Sequence, residues 1–582
     1  MKIRLAKTAG FCMGVRRAVD MVLDLQRSAP PLPISTYGPL IHNPQTLKLL
    51  ESRGIKEIES LDDVNGGTVV IRAHGISPRE KNILAEKGVK IIDATCPRVA
   101  RVQAVIRNHS ERGHFCFIVG DEDHPEVRGL MGFASSGGIV ISSADRCSAC
   151  ETVDADREIC VVAQTTQETQ TFQGVVEVLK QRFPKIHVHD TICDSTRKRQ
   201  SEVSRMAREV DTIVVVGGKG SGNTRRLAKV ARSQGIKTLH VETDEDIPTS
   251  LIAASDTIGV TAGASTPNWQ IREVIDRLKE IGMSREASPL KSLRRLGDIA
   301  VMTYCVAGLA GGGITAASLA LQSRQITWLP LAVTVLFVFS MHLINRIQER
   351  SGAVRFNTPE VAAFYASHRM ELTIMAALAS LAAIIFSYME SINSCLMLTA
   401  MLLAGRLYTL PVFSRSIFPR FKWRSLKDLP GSKTPVVALG WGVCACILPA
   451  IGSPEPLSLP ALLVAFCFAA GTVFWRTALS DLLDLQGDRI MGRETIPILI
   501  GVGKTRKLLQ VLLFVLAVLL CGAAAGGLTS LVGFWLVPVI LVFIIFFIVY
   551  RKRHLVDRLL FEGLLDVNLL VAGVISLLYG WW

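Results

Sequence analysis

The sequence predicts two unlike parts: an α/β N-terminal half of three pseudo-equivalent units, and an all-α C-terminal half forming a bundle of about nine transmembrane helices. Three observations predict it. Up to about residue 283, charges are spread throughout and the apolar runs have the length of strands; from about residue 298, long apolar runs take over. A strand-like run, then a cysteine, then a helix-like segment occurs three times before residue 200. The 582 residues are also too many for one core. Domains are therefore expected at 1–283 and 298–582, with a linker at 284–297.

The net charge is +14. No aromatic–basic RNA motif or zinc-finger spacing accompanies it, and much of the basicity falls in loops between apolar runs, where it suits anionic headgroups. A nucleic-acid partner is not expected. The opening stretch MKIRLAKTAGFCMGV has no sustained apolar run of the signal-peptide kind. The first half is thus expected in a reducing cytoplasm, where cysteines more often bind metal or react than form disulfides.

The three recurring cysteines are Cys12 in AGFCMGV, Cys96 in DATCPRV and Cys193 in DTICDSTRKRQ, separated by 84 and 97 residues. Those separations are too long for a linear metal motif and suit repeated domains. Other features recur behind each cysteine. Gly38 opens GPLIHNP 26 residues after Cys12, Gly120 opens GDEDHPE 24 after Cys96, and Gly218 opens GKGSGN 25 after Cys193. Ala73 opens AHGISP, Ala163 opens AQTTQE and Ala262 opens AGASTP, at offsets of 61, 67 and 69. Each unit of about 90 residues then presents three loops to a common centre, where α/β folds place ligands.

Three thiolates on one axis suit an iron–sulfur cluster. A 4Fe–4S cube fully ligated by protein takes four cysteines, and no fourth repeat exists, which leaves one iron open to a substrate oxygen. Taken singly, each cysteine reads more readily as a small core residue; the repeated context favours ligation. The surrounding loops suit an anion. His42 and His124 lie four residues beyond their glycines, His74 follows Ala73, and GKGSGNTRR offers backbone N–H groups at a helix start. Ser221, Asn223 and Ser265 add neutral donors, and Glu126 is the candidate proton donor. Cys147 and Cys150 form a single C-x-x-C outside the pattern, and Cys116 and Cys160 lie in strand-like apolar runs; core packing is expected for all four.

GFCMGV, DATCP, GDEDHPEV, AQTT and TAGASTP together resemble the 4-hydroxy-3-methylbut-2-enyl diphosphate reductase family of isoprenoid biosynthesis, over about residues 1–283. The resemblance implies three α/β units around a central 4Fe–4S cluster. It implies a two-electron, two-proton loss of the allylic hydroxyl in the non-mevalonate pathway, giving isopentenyl and dimethylallyl diphosphate. Carried onto this chain, it implies Cys12, Cys96 and Cys193 as cluster ligands, and His42, His74, His124, Ser221, Asn223 and Ser265 as diphosphate ligands. Thr165 with Glu126 would position the hydroxyl, Glu126 would supply protons, and a ferredoxin or flavodoxin would donate electrons. One position departs: the family has Ser-Ser-Asn where this chain has Ser221, Gly222 and Asn223. Gly222 keeps a backbone N–H but lacks the hydroxyl.

In the second half, spans are expected near 299–321, 326–344, 372–388, 393–411, 435–452, 460–478, 507–527, 533–550 and 563–582. Lysine and arginine gather in the connections after the second, fourth, sixth and eighth, while the intervening short loops carry Arg324 alone. The basic side is therefore expected to be cytoplasmic, with Trp582 on the far side. After the sixth span, SDLLDLQGDRIMGRETIP spaces Asp481, Asp484 and Asp488 by three and four residues, which puts them on one face if the helix continues. Two uses are open: carboxylates holding Mg²⁺ on a diphosphate, or a solvated helix end.

Nine spans with this acidic run and GRETIP resemble the UbiA-type intramembrane prenyltransferases, over roughly 298–582. The family carries a second acidic motif, N-D-x-x-D, after its second span. Here that segment is NRIQE, with Asn345 kept, Arg346 for the first aspartate and Glu349 for the second. The loop RSLKDLPGSKT, 424–434, suits the family's basic segment. The whole reads as a reductase tethered to the lipid bilayer: a multi-pass protein of the inner membrane with its N-terminal domain cytoplasmic. The alternatives are that Mg²⁺-dependent prenyl transfer to a lipid or aromatic acceptor is the main activity, or that the second half is a non-catalytic anchor, which Arg346 favours. Family members mostly take chains longer than five carbons, so co-localisation rather than direct passage between the halves is expected.

Overall fold

Among the described residues, twelve short strands build the first half. β1 is Lys2–Leu5. β2 to β5 are Ile34–Tyr37, Ile55–Ile58, Thr68–Ile71 and Lys90–Asp93. β6 to β9 are Phe115–Val119, Gly138–Ile141, Ile159–Ala163 and Ile186–His189. β10 to β12 are Thr212–Val216, Lys237–Val241 and Thr257–Ala262. This computed structural model describes residues 1–28, 33–253, 255–283, 288–349, 358–410, 425–490, 493–552 and 558–580. The chain divides into two compact units, 1–286 and 287–582.

The strands pair into three parallel four-stranded sheets of one topology: β3-β2-β4-β5, β7-β6-β8-β9 and β11-β10-β12-β1. Parallel pairing needs crossover helices, and these cover both faces, so the inner strands read as unbroken apolar runs: FCFIV, ICVVA and TIVVV. In β6, Phe117 and Val119 pack on one side with Phe172, Val175 and Leu179. Cys116 and Ile118 pack on the other with Val102, Ile106 and Leu130.

Pairing corrects the grouping read from the sequence, which puts each cysteine at the head of a unit. Each cysteine instead follows the fourth, edge strand of a sheet. The chain's first strand pairs with β12, so Cys12 belongs with the sheet of β10 and β12, Cys96 with that of β2 and β4, and Cys193 with that of β6 and β8. Two loop registers slip as well. Equivalent backbone bonds run from the Gly38, Gly120 and Gly217 N–H groups to the carbonyls of Ile58, Ile141 and Val241, at 2.8, 3.0 and 2.9 Å; Gly217, not Gly218, is the third glycine. The amides of Cys12, Cys96 and Cys193 donate to the carbonyls of Ala264, Ala73 and Thr165, at 3.0, 2.9 and 2.9 Å. Ala73 therefore matches Thr165 and Ala264 rather than Ala163 and Ala262.

The second unit is helical. Among the described residues, seven helices are long and apolar enough to cross a membrane: Trp328–Ile347, Arg369–Glu390, Lys433–Gly452, Leu459–Leu483, Val502–Ala525, Val532–Arg551 and Arg558–Tyr579. The pair Arg294–Met302 and Cys305–Leu321, bent by 69°, makes an eighth if it is counted as one span; at the bend Tyr304 takes a left-handed conformation with φ 61°. The ninth expected span is the helix Ile392–Thr409, which falls outside that apolar set; Asn393 and Arg406 interrupt its apolar character. Residues 288–297, expected as linker, belong to the helix Ser288–Met302; residues 284–287, Arg424, Gly492 and Trp582 lie outside the described residues.

The surfaces of the two units differ. Among the described residues of the first unit, only Met13 and Val178 are large apolar side chains left exposed, whereas the second leaves Leu378, Leu381, Ile385, Phe514, Val518 and Ile545, with many others, uncovered. That surface is a liability in water and a match to lipid. Inside, the helices Cys305–Leu321 and Arg558–Tyr579 approach glycine on glycine: a Cβ on Gly573 would fall 2.4 Å from the Gly313 Cα.

Candidate active site and membrane cavity

The strand-to-helix turns of the three sheets enclose a cavity of about 100 Å³ lined by all twelve residues expected there: Cys12, Cys96, Cys193, His42, His74, His124, Glu126, Thr165, Ser221, Gly222, Asn223 and Ser265. The cysteines immediately precede the helices Met13–Ser28, Pro97–Ser110 and Asp194–Met206, whose positive dipole ends favour thiolate. All three are free thiols. The Val15 N–H donates to Cys12 Sγ at 3.5 Å. Burial raises the Cys96 pKa against the amides of Arg98 and Val99, and Cys12 and Cys193 push it further. Gly14 is needed for space, because a Cβ there would stand 2.4 Å from Cys96 Sγ.

The rings of His42, His74 and His124 pack at centroid distances of 4.6, 5.6 and 5.3 Å. His124 caps the helix Pro125–Met131, its Nδ1 accepting from the Glu126 N–H at 3.1 Å; this leaves the proton on Nε2. Burial, then Arg72 and Arg225, lowers the His42 pKa. Burial, then His42, Arg226, Arg225 and Arg72, lowers that of His124 to about 3. Burial and its neighbours hold His74 well below the usual value. The three are neutral donors at pH 7. His42 Nε2, His74 Nδ1 and Asn223 Nδ2 are buried without a hydrogen-bond partner, a strong demand for a ligand. The imidazole nitrogens also lie within 4.8 Å of one another, which suits a small cation, but the arginines around them favour an anion.

Glu126 is 1% exposed. Its two oxygens accept from the Thr165 N–H at 2.6 Å and the Thr165 hydroxyl at 2.8 Å. Burial raises its pKa, opposed by those bonds and by Arg226. Ser265 donates to the His42 carbonyl at 3.0 Å and lies 3.5 Å from the Ser221 hydroxyl. Gly222 opens the helix Gly222–Ser233.

In the second unit a cavity of about 470 Å³ is lined by Asn345, Arg346, Glu349 and Asp484. The helix Leu459–Leu483 ends at Asp484 and another, Leu485–Ile490, begins. Helical hydrogen bonding runs through this break, the Asp484 and Asp488 N–H groups donating to the carbonyls of Ser480 and Asp484 at 3.0 and 2.9 Å; of the three aspartates, Asp484 lines the cavity. Each carboxylate has a cation. Asp481 accepts from Lys433 at 2.8 Å and Thr434 at 2.7 Å, Asp484 pairs with Arg558, and Asp488 lies 3.9 Å from Arg493. Glu349 pairs with Lys427 at 2.8 Å and Arg493 at 2.5 Å. Arg346, Lys427, Lys433, Arg476, Arg493 and Arg558 outnumber Glu349, Asp484 and Glu562 in the wall, so the cavity is basic.

Residues 3–279 match the LytB protein family. Over 283 residues the chain is 44% identical to the 4-hydroxy-3-methylbut-2-enyl diphosphate reductase of Oleidesulfovibrio alaskensis, covering 48% of this chain and 99% of that protein. The chain belongs to the LytB protein family. The corresponding reductase of Nitratidesulfovibrio vulgaris is 47% identical over 276 residues, 47% of this chain and 98% of that one. Beyond the LytB half, residues 309–561 match the UbiA prenyltransferase family. A solved (E)-4-hydroxy-3-methyl-but-2-enyl diphosphate reductase aligns with 48% of this chain and 100% of its own, at 37% identity and TM-score 0.38. A UbiA homolog from Archaeoglobus fulgidus bound to DMAPP and Mg²⁺ aligns with 48% of this chain and 98% of its own, at 16% identity and TM-score 0.35.

Sequence reasoning missed two arginines of the LytB half. Arg226 donates to the Thr166 hydroxyl at 3.1 Å and to Asp121 at 2.7 Å, joining loops of two sheets. Arg199 is buried and donates to the carbonyls of Gly10 at 2.6 Å and Ala262 at 3.0 Å, with its charge beside Cys12 and Cys193. Each lies on the helix behind a site loop, four residues after Gly222 and six after Cys193; that placement was the available signal. Cys147 and Cys150 pack in the core with Phe172 and Phe183, and Cys116 and Cys160 are buried partners in register on β6 and β8.

Proposed function

We propose that the LytB half reduces 4-hydroxy-3-methylbut-2-enyl diphosphate to isopentenyl and dimethylallyl diphosphate. The convergence of Cys12, Cys96 and Cys193 on the cavity that holds Glu126 carries this reading. The residues fit a 4Fe–4S cluster: three free thiols at helix starts, a glycine beside one sulfur, and no fourth cysteine in the wall. When bound, the cluster would supply the electrons, drawn from a donor such as a ferredoxin or flavodoxin. His42, His74, His124 and Asn223 donate to the diphosphate, with Ser221, Ser265 and the Gly222 N–H beside them. Thr165 and Glu126 hold the substrate hydroxyl. The C–O bond breaks, the hydroxyl leaves as water with a proton from Glu126, and the allyl unit takes up two electrons and the second proton. The test is anaerobic turnover of the full chain in detergent. Cys96→Ala abolishes substrate reduction; turnover at the parent rate would sink the reading.

The basic membrane cavity supports a second activity beside the first. Its arginines and lysines suit the diphosphate of a prenyl chain, and Asp484 with Asn345 and Glu349 offers oxygen ligands to Mg²⁺ once their cations turn to the diphosphate. The reading is Mg²⁺-dependent prenyl transfer to a lipid or aromatic acceptor. Membranes given labelled prenyl diphosphate with and without Mg²⁺ test it; no incorporation over a broad acceptor panel leaves the second half an anchor. The basic connections support a LytB half on the cytoplasmic face of the inner membrane, which protease protection in oriented vesicles checks.

A further inference from the structure

Four of the chain's 11 histidines meet at the far end of the second sheet, away from the cavity. His109 ends the helix Pro97–Ser110 and His114 follows one turn later. Glu158 precedes β8, and His187 and His189 lie two apart on β9, on one face of that edge strand. Because β6, β8 and β9 run parallel, their starts lie side by side and bring these residues together.

From these observations we infer that His114, Glu158 and His187 form a binding site for Zn²⁺ or a similar first-row divalent ion, separate from the reductase cavity. Their three ligand atoms lie within 4.8 Å of one another. His114 Nε2 is 2.7 Å and His187 Nε2 is 3.5 Å from the same oxygen, Glu158 Oε2. These distances bracket the ~3.3 Å between neighbouring ligands of a tetrahedral zinc with bonds near 2.0–2.1 Å. Two imidazoles and a carboxylate suit this class of ion. The His187 and Glu158 side chains are 48% and 49% exposed, so the ion enters from solvent and the fourth position is open to water.

The buried pair behind the site gives it orientation. His114 Nδ1 meets His109 Nδ1 at 2.8 Å, and His109 Nε2 meets His189 Nε2 at 2.8 Å. Without metal, His114 Nε2–H donates to Glu158, and His109 and His189 donate along the row toward His114. With metal on His114 Nε2, every proton in the row reverses: His114 Nδ1–H donates to His109, and His109 Nε2–H to His189. Either state satisfies each shared nitrogen with neutral rings, so the ion replaces one proton without leaving a buried donor unpaired.

The test is equilibrium dialysis of the anaerobic, cluster-loaded full chain in detergent against Zn²⁺ alone. The parent retains one zinc per chain more than His187→Ala or Glu158→Gln, whose zinc affinity falls at least tenfold, while substrate reduction by both variants stays at the parent rate. His109→Phe, which removes the partner that orients His114, lowers zinc affinity by about tenfold. Zinc held at the cluster cysteines is the same in parent and variants, so the difference isolates the histidine site. Equal zinc in all the chains overturns the inference.

Discussion

Glu126 is set by two opposed effects, and their balance decides its use. Burial favours the neutral acid, while the amide and hydroxyl of Thr165 and the charge of Arg226 favour the carboxylate; burial prevails and the pKa is raised. A group raised in this way binds a proton in the folded state that the unfolded chain has released, so its contribution to stability falls as pH rises through the folded value. Glu126→Gln keeps the shape and an acceptor for the Thr165 N–H, makes the Thr165 hydroxyl accept from the amide instead of donating, and removes the ionisable proton. Turnover of this variant falls at least ~100-fold, the usual worth of a positioned acid, and its melting temperature loses part of the parent's decline as pH rises above the ordinary carboxylate range. Turnover and melting measured on the same preparations check both. The histidines act the other way. His124, depressed to about 3, lowers stability as pH falls from the ordinary histidine value toward 3, because the unfolded chain then binds more protons. A bound diphosphate favours the imidazolium, so substrate binding takes up protons and weakens with rising pH. Calorimetry in buffers of different ionisation enthalpy measures that uptake, and its absence would show the rings stay neutral.

At the scale of elements, the helix Gly222–Ser233 carries the one motif position that departs from the resembled family. A Cβ on Gly222 would stand 3.2 Å from Arg226 Nη1 and 3.5 Å from His124 Cδ2, so a serine needs the guanidinium to move by a few tenths of an ångström. Its hydroxyl then adds a donor to the anion, worth about 1 kcal/mol. Gly222→Ser lowers KM by up to about fivefold with kcat unchanged, the signature of uniform binding; a lowered kcat would mean that displaced Arg226 had disturbed Thr166. The departure itself was legible as a string of letters, as were the three cysteines, the apolar inner strands and most site loops. What stayed hidden has a common cause. Cys12 groups with the sheet of β10 because a strand at the chain's start pairs with one more than 250 residues later, and no local pattern records such pairing. Gly217 and Thr165 were misassigned by one and two residues because counting from the cysteines cannot see loop length. Three-and-four spacing does not tell that Asp484, of the three aspartates, lines the cavity, and Arg199 and Arg226 look like ordinary helix-surface charges until tertiary packing buries them.

Across the whole molecule, the chain carries two cavities for which diphosphate ligands are proposed, and the question is whether product passes between them without mixing. The reductase releases five-carbon diphosphates, small anions with little apolar area, so their affinity for lipid or an apolar wall is slight. A typical enzyme turns over about ten times per second, ample time for such an anion to equilibrate with the surrounding solution between cycles. The basic wall of the membrane cavity, with Arg346 in place of an acidic ligand, attracts any diphosphate and cannot tell a molecule made next door from one in bulk. Fusion therefore raises the amount of both proposed activities at one membrane without joining their intermediates. The measurement is isotope dilution in vesicles bearing the full chain: labelled reductase substrate is supplied with excess unlabelled isopentenyl and dimethylallyl diphosphate, and any elongating enzyme is added separately. The label reaching the prenylated acceptor falls in proportion to the unlabelled pool. Label that arrives undiluted would require a protected path, and the two halves would then be a single conduit rather than neighbours.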